Sequence, residues 1–101
     1  MADNSVVLVN TLKVDPTRQK ELISMLEHNI ETVIRSLDGW RGSRLIASKD
    51  GTGVVIYSEW ETPAAVQAMR SDARMVAYFP KIRELANFES TVGELVFERG
   101  C

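Results

Sequence analysis

The side chains that usually carry catalysis are scarce in this chain. Its one histidine, His28, and its one cysteine, Cys101, lie far apart in the sequence, whereas thiol and imidazole metal sites need about three or four such ligands. No His-Glu-x-x-His, EF-hand or Gly-x-Ser-x-Gly pattern occurs. Gly51-Thr52-Gly53 lies between two strand-like runs, not between a strand and a helix, where phosphate loops work. On a helix His28 falls with Glu21, Ser24, Glu31 and Arg35, away from the apolar stripe, and reads as exposed. Cys101 is the last residue and reads as part of a tail, not as a nucleophile. Asn10 is different, because it interrupts an otherwise apolar strand face. A buried amide there costs free energy unless backbone, water or a ligand satisfies it. Any chemistry would therefore run without the usual bases and metals, through polar side chains set in an apolar pocket.

The elements that would position such a pocket can be read from pattern. Residues 5–14 alternate as a strand, with Val6, Leu8, Asn10, Leu12 and Val14 on one face. Asp15-Pro16 supplies an N-cap and a proline at the first helical position, and the helix should run to about Leu37. Its apolar stripe is Leu22, Met25, Leu26, Ile30, Val33 and Leu37, with Asn29 on the same side. Asp38-Gly39 ends it. The turn signal Asp50-Gly51-Thr52 then joins two β-branched and aromatic runs into a hairpin over about residues 40–61, ending on Trp60.

Folding the hairpin so that Lys49 meets Gly53 sets Ile46 opposite Ile56, Arg44 opposite Ser58 and Gly42 opposite Trp60, all on one face. Leu45, Ala47, Val55, Tyr57 and Glu59 take the other face. Thr62-Pro63 starts a short helix to about Met69, and Ser71 or Asp72 caps a second piece to about Ala86 that Pro80 should kink or divide. Residues 88–99 read as a last strand. Met25, Met69 and Met75 fit helix faces as core fillers.

The order is β-α-β-β-α-β, with no repeat or linker. It fits an α+β, ferredoxin-like sandwich in which helices cover one face of a four-stranded antiparallel sheet. The first strand lies centrally, so Asn10 should come close to the strand that carries Trp60. At 101 residues there is room for one domain, and the 45% hydrophobic content is ordinary. Both sheet faces carry apolar residues, and a domain of this size gains from further burial, which predicts a homodimer meeting over the open face. A net charge of -2 with mixed signs argues against nucleic acid. No apolar run reaches the roughly 20 residues of a membrane span, and Met1-Ala2-Asp3-Asn4 is unlike a signal peptide, so the chain is expected to be cytoplasmic.

Three segments resemble the antibiotic biosynthesis monooxygenases, small dimeric α+β barrel proteins. They are Leu8-Val9-Asn10-Thr11-Leu12-Lys13-Val14, Leu37-Asp38-Gly39-Trp40, and Asp50-Gly51-Thr52 followed by a strand ending Tyr57-Ser58-Glu59-Trp60. The resemblance covers about residues 6–97. It implies an enzyme without a cofactor or metal, in which an acidic aromatic, quinol or polyketide-type substrate supplies the electrons for O2 and the protein holds donors where the anion develops.

By resemblance Asn10 and Trp60 take the catalytic positions and Ile46 and Ile56 fall in the substrate pocket, and Arg44, Ser58, Asn29 and Tyr78 are expected as the further polar residues that line it. Two positions depart from the family pattern: an asparagine four residues before the tryptophan is Ile56 here, and a pocket histidine on the second strand falls at Ile46. The haem-degrading relatives would need a histidine near Tyr78 or Phe79. A non-oxidative isomerase or cyclase, and a small-molecule-binding dimer without chemistry, are the alternatives on the same scaffold.

Overall fold

A computed structural model describes residues 5–100; Cys101 and the first four residues lie outside them. Strand β1 (Val6–Val14) is followed by a short 3-10 turn (Pro16–Arg18), helix α1 (Gln19–Thr32), a second 3-10 turn (Ile34–Ser36), β2 (Trp40–Ala47), β3 (Gly53–Trp60), α2 (Pro63–Ser71), α3 (Ala73–Leu85) and β4 (Ala86–Gly93). The sheet order is β2-β3-β1-β4 with antiparallel pairing throughout. The three helices cover one face, which gives the ferredoxin-like α+β sandwich. β1 is central, and Asn10 pairs with Ile56 on one side and Ser90 on the other.

Local chemistry sets the boundaries. The Asp15 carboxylate accepts from the Thr17 amide, the Thr62 hydroxyl from the Ala65 amide, and the Asp72 carboxylate from the Arg74 amide, so each cap falls where a short polar side chain stands. The helix expected to reach Leu37 stops at Thr32 and tightens into a 3-10 turn, with the Leu37 amide donating to the Ile34 carbonyl. Gly39 then takes φ +86, and a Cβ there would come within 2.5 Å of Ala65 Cβ. Pro80 does not divide α3, which is continuous from Ala73 to Leu85. Tyr78, Phe79 and Ile82 pack into the core around the proline, and that packing outweighs one lost backbone bond. β4 is displaced toward the N-terminus of the expected 88–99, since β1 offers partners only from Val7, opposite Gly93, to Val14, opposite Ala86.

The hairpin register differs from expectation by one residue. Ser43 faces Ser58, Arg44 faces Tyr57, Leu45 faces Ile56 and Ile46 faces Val55. The turn is not the three residues Asp50-Gly51-Thr52 but a four-residue loop between Ser48 and Gly53, whose backbones bond at 3.0 Å. Gly51 sits at φ +82, and the Ser48 hydroxyl accepts from the Gly53 amide at 2.9 Å. A one-residue slip exchanges the two faces of a strand. Ser43 and Leu45 therefore turn toward the helices, and Arg44 and Ile46 toward the open face. An extra residue at Arg41 forms a bulge, which brings Trp40 and Ser43 to the same side so that the indole N–H donates to the Ser43 hydroxyl at 2.9 Å.

The core has two centres. One gathers Leu12, Leu22, Leu26, Val54 and Ile82, and the other Leu8, Ile34, Trp60, Val66 and Met75; Tyr78 packs against both. Along β1 the seam between them falls at Asn10, between Leu8 and Leu12. Along α1 it falls at Asn29, between Leu26 and the Ile34 of the 3-10 turn that follows. Strand and helix thus both place an amide where the two apolar clusters part.

Candidate functional site

At that seam lies a cavity of about 290 Å³, at the lower end of the roughly 300–1,000 Å³ of small-molecule sites. The sheet supplies Asn10, Ser43, Ile56, Ser58, Trp60 and Ser90 to its floor. The helices supply Asn29, Met69, Met75, Tyr78 and Phe79, and Arg70 and Arg83 also border it.

Hydrogen bonding divides these polar groups into two sets. The Trp60 indole, 1% exposed, donates to Ser58 Oγ at 3.3 Å, and Ser58 in turn donates to the Leu8 carbonyl at 3.3 Å. Both are fully engaged, so Trp60 offers the cavity its ring and not its N–H. The Tyr78 hydroxyl donates to the Met25 carbonyl at 3.4 Å, and burial pushes its ionisation well above the ordinary tyrosine value, so it stays protonated near neutral pH.

The second set has capacity left. Asn10 Oδ1 accepts from the Ser90 hydroxyl, which leaves both amide N–H groups of Asn10 without a partner among the described residues. Neither Arg70 nor Arg83 forms an ion pair among the described residues. The Arg83 guanidinium stacks 5.4 Å from the centre of the Phe88 ring.

Six of the residues singled out from sequence meet at this cavity: Asn10, Trp60, Asn29, Ile56, Ser58 and Tyr78. Arg44 and Ile46 do not. The shifted register leaves both exposed on the open face, Ile46 at 54%. The position expected for a guanidinium is filled instead by Arg70 and Arg83, each directly after a buried residue, Met69 and Ile82. Their helical spacing was a usable signal: Arg70 lies one turn beyond Val66, and Arg83 one turn beyond Phe79. Ser43 and Ser90 were out of reach without the register. His28 is exposed on α1 and lies apart from the cavity. Among the described residues no three histidine, cysteine or carboxylate side chains are grouped to hold a metal ion, and no helix is long and apolar enough to cross a membrane.

No carboxylate, histidine, lysine or cysteine is among the described residues that line the cavity. The arrangement can hold an apolar body, set two N–H donors against it and place positive charge beside it. It has no side chain that would take a proton near neutral pH.

Comparison with known proteins gives consistent relatives. The antibiotic biosynthesis monooxygenase family model matches residues 5–81. The tetracenomycin-F1 monooxygenase of Streptomyces glaucescens is 34% identical over 79 residues, covering 78% of this chain and 70% of that protein. A monooxygenase from the gene ActVA-Orf6 of Streptomyces coelicolor, solved with nanaomycin D, superposes with a TM-score of 0.80 at 26% identity, covering 96% of this chain and 89% of that one. SnoaB, a cofactor-independent oxygenase from Streptomyces nogalater, superposes with a TM-score of 0.78 at 16% identity over 96% and 97% of the two chains, a likeness of fold.

Proposed function

The chain belongs to the antibiotic biosynthesis monooxygenase family, and from that premise we propose that it oxidises a flat aromatic, quinol or polyketide-type compound with O2, without a cofactor. The observation that carries this reading is the Asn10 amide, which lines a largely apolar cavity with two N–H donors that no described residue pairs. Donors held in place by the fold stabilise a developing oxyanion without reorganisation.

The substrate supplies the electrons. Its acidic ring methylene or phenol loses a proton to solvent, since the cavity offers no base. The positive field of Arg70 and Arg83 favours that ionisation, and the Asn10 N–H groups hold the resulting enolate oxygen. The carbanion transfers one electron to O2, and the two radicals combine to a peroxide. Protonation of the peroxide and loss of the remaining C–H proton then break the O–O bond, so that one oxygen becomes the new carbonyl and the other leaves as water. Trp60 and Phe79 form walls against the rings.

The same reading includes a homodimer. The open sheet face carries Val7, Val9, Val55 and Tyr57 half-buried, with Ile46 54% exposed beside them, and a second copy meeting it sheet to sheet would remove that surface from water. Sedimentation should give twice the chain mass and Ile46→Asp should shift it toward the monomer; a monomer at all concentrations would end this part of the reading.

The test of function is oxygen uptake by metal-stripped protein given anthrones and quinols. Uptake should exceed autoxidation and fall on the order of a hundredfold in Asn10→Ala, as for loss of one oxyanion donor, with the fold intact. An unchanged rate would remove Asn10 from the mechanism. Turnover without O2 consumption would move the assignment to an isomerase or cyclase.

A further inference from the structure

Three polar side chains at the cavity keep bonding capacity that no described residue takes up: the N–H groups of Asn10, the whole amide of Asn29 and the hydroxyl proton of Ser43. Ser43 differs from the two amides in that its oxygen is held by a dedicated partner. The Trp40 indole N–H donates to Ser43 Oγ at 2.9 Å, and no acceptor for the Ser43 O–H lies among the described residues.

The local fold is arranged for this contact. Residues three apart on a regular strand point to opposite faces. The bulge at Arg41 cancels that alternation and sets Trp40 and Ser43 on the same side. On the neighbouring strand β3 the same residue types form a second pair, with Trp40 opposite Trp60 and Ser43 opposite Ser58. There the chain of bonds is closed, since the Trp60 indole donates to Ser58 and Ser58 donates onward to the Leu8 carbonyl of β1. β2 is the edge of the sheet, with no further strand to receive the Ser43 proton. A hydroxyl has one proton and two lone pairs, so the indole fixes the oxygen of Ser43 and leaves its proton to give.

Ser43 also stands apart from Asn10. Asn10 pairs with Ile56, Ile56 pairs with Leu45, and Ser43 lies two residues before Leu45. Ordinary strand spacing puts the two backbones roughly 12 Å from each other. Both side chains rise from the inner face of the sheet, so they meet a bound molecule at two separate points.

We propose that Ser43 is a second holding point for the substrate and that Trp40 is the positioning residue that makes it one. The Ser43 hydroxyl donates to an acceptor at one end of the molecule while Asn10 holds the reacting oxygen at the other. A ring system held at Asn10 alone can pivot in its own plane; a second donor fixes its long axis, and such orientation lowers the barrier to reaction. The inference rests on the aromatic-ligand reading above and adds to it the residues that orient the ligand. Phenylalanine at position 40 would fill much of the same space but leave the Ser43 oxygen free to turn.

The test is anaerobic calorimetric titration, which separates binding from turnover, on the wild type, Ser43→Ala, Trp40→Phe and the double variant. The probes are anthrone and its outer-ring methoxy isomers, whose ether oxygen accepts a hydrogen bond and cannot donate one. The wild type should bind at least one isomer about fivefold tighter than anthrone, the usual worth of one neutral hydrogen bond. Ser43→Ala should erase that preference and leave the affinity for anthrone unchanged. Trp40→Phe should erase most of it, and the double variant should lose no more than Ser43→Ala, because Trp40 acts through Ser43. Losses that add in the double variant would make Trp40 a packing residue and overturn the proposal. So would an equal weakening of anthrone and methoxy compounds by Ser43→Ala, or a wild type that prefers none of the isomers, while the aromatic-ligand reading would stand. Failure of the wild type to bind any of the compounds would defeat that reading and this inference with it.

Discussion

At the hairpin turn one carboxylate oxygen, Asp50 Oδ1, accepts from the Thr52 amide at 3.0 Å, the Thr52 hydroxyl at 2.7 Å and the Ser48 hydroxyl at 2.7 Å. Gln19, the first residue of α1, adds donations from its side-chain amide to the carbonyls of Ser48 and Gly53 at 3.1 and 2.9 Å. At the cavity, by contrast, Asn29 has no partner and Asn10 has two N–H groups unspent. The turn uses polar side chains to fix a backbone, and each bond made there is a bond the unfolded chain lacks. The cavity leaves the Asn29 amide and the Asn10 N–H groups out of the fold's own bonding, open to a ligand or to water. Unspent capacity in a buried position is therefore the feature that separates a binding group from a structural one.

Ser58 is where this contrast can be broken with the largest expected effect. It lines the same cavity as Asn29, yet it resembles the turn in that its hydroxyl is committed at both ends, to the Trp60 indole and the Leu8 carbonyl. Ser58→Ala leaves the N–H of a fully buried tryptophan without an acceptor, which costs about 1–3 kcal/mol. Urea unfolding should show that loss as a lower midpoint at unchanged slope, with anthrone affinity of the folded protein close to that of the wild type. Removal of the Asn29 amide should move stability the opposite way. Two polar deletions around one cavity with opposite signs would establish that the division is real. A Ser58→Ala protein as stable as the wild type would dissolve it.

The same division explains what the sequence discloses and what it conceals. Element order, the helix caps and the placement of Asn10 on the inner face follow from alternation and from short polar residues before prolines, and those rules act within a few residues. Asn29 was visible too, as a polar residue on an apolar stripe. The hairpin register was not, because it depends on which side chains close the loop. Ser48 and Asp50 take the amides of Gly53 and Thr52 and stretch a three-residue turn to four. That single step sends Arg44 and Ile46 to the open face. The helix pattern marks Arg70 and Arg83 as neighbours of buried residues, but the space they border opens only where the two core clusters part.

The smallest expected effect lies at the turn itself. Its hydrogen bonds hold the Asp50 carboxyl ionised down to a pKa of about 2, against an ordinary 3.8, with the Thr52 hydroxyl and amide as the main causes and the Ser48 hydroxyl next. Because the folded value lies below the unfolded one, the stabilisation is complete above 3.8 and is lost as pH falls from there through about 2. Asp15 and Asp72, lowered by Thr17 and by Arg74, act in the same direction. Asp50 is fully exposed, so solvent screening keeps its share small. Asp50→Asn should leave the melting temperature nearly unchanged close to neutral pH. It should also flatten the decline seen when the wild type is melted at successively lower pH.

The cavity amides do not titrate in that range. Affinity for uncharged anthrone, counted per folded molecule, should therefore stay level across the interval in which the turn loses its contribution. A parallel fall in affinity would mean that the turn and the cavity are coupled through α1, whose first residue is bonded to the one and whose Asn29 lines the other.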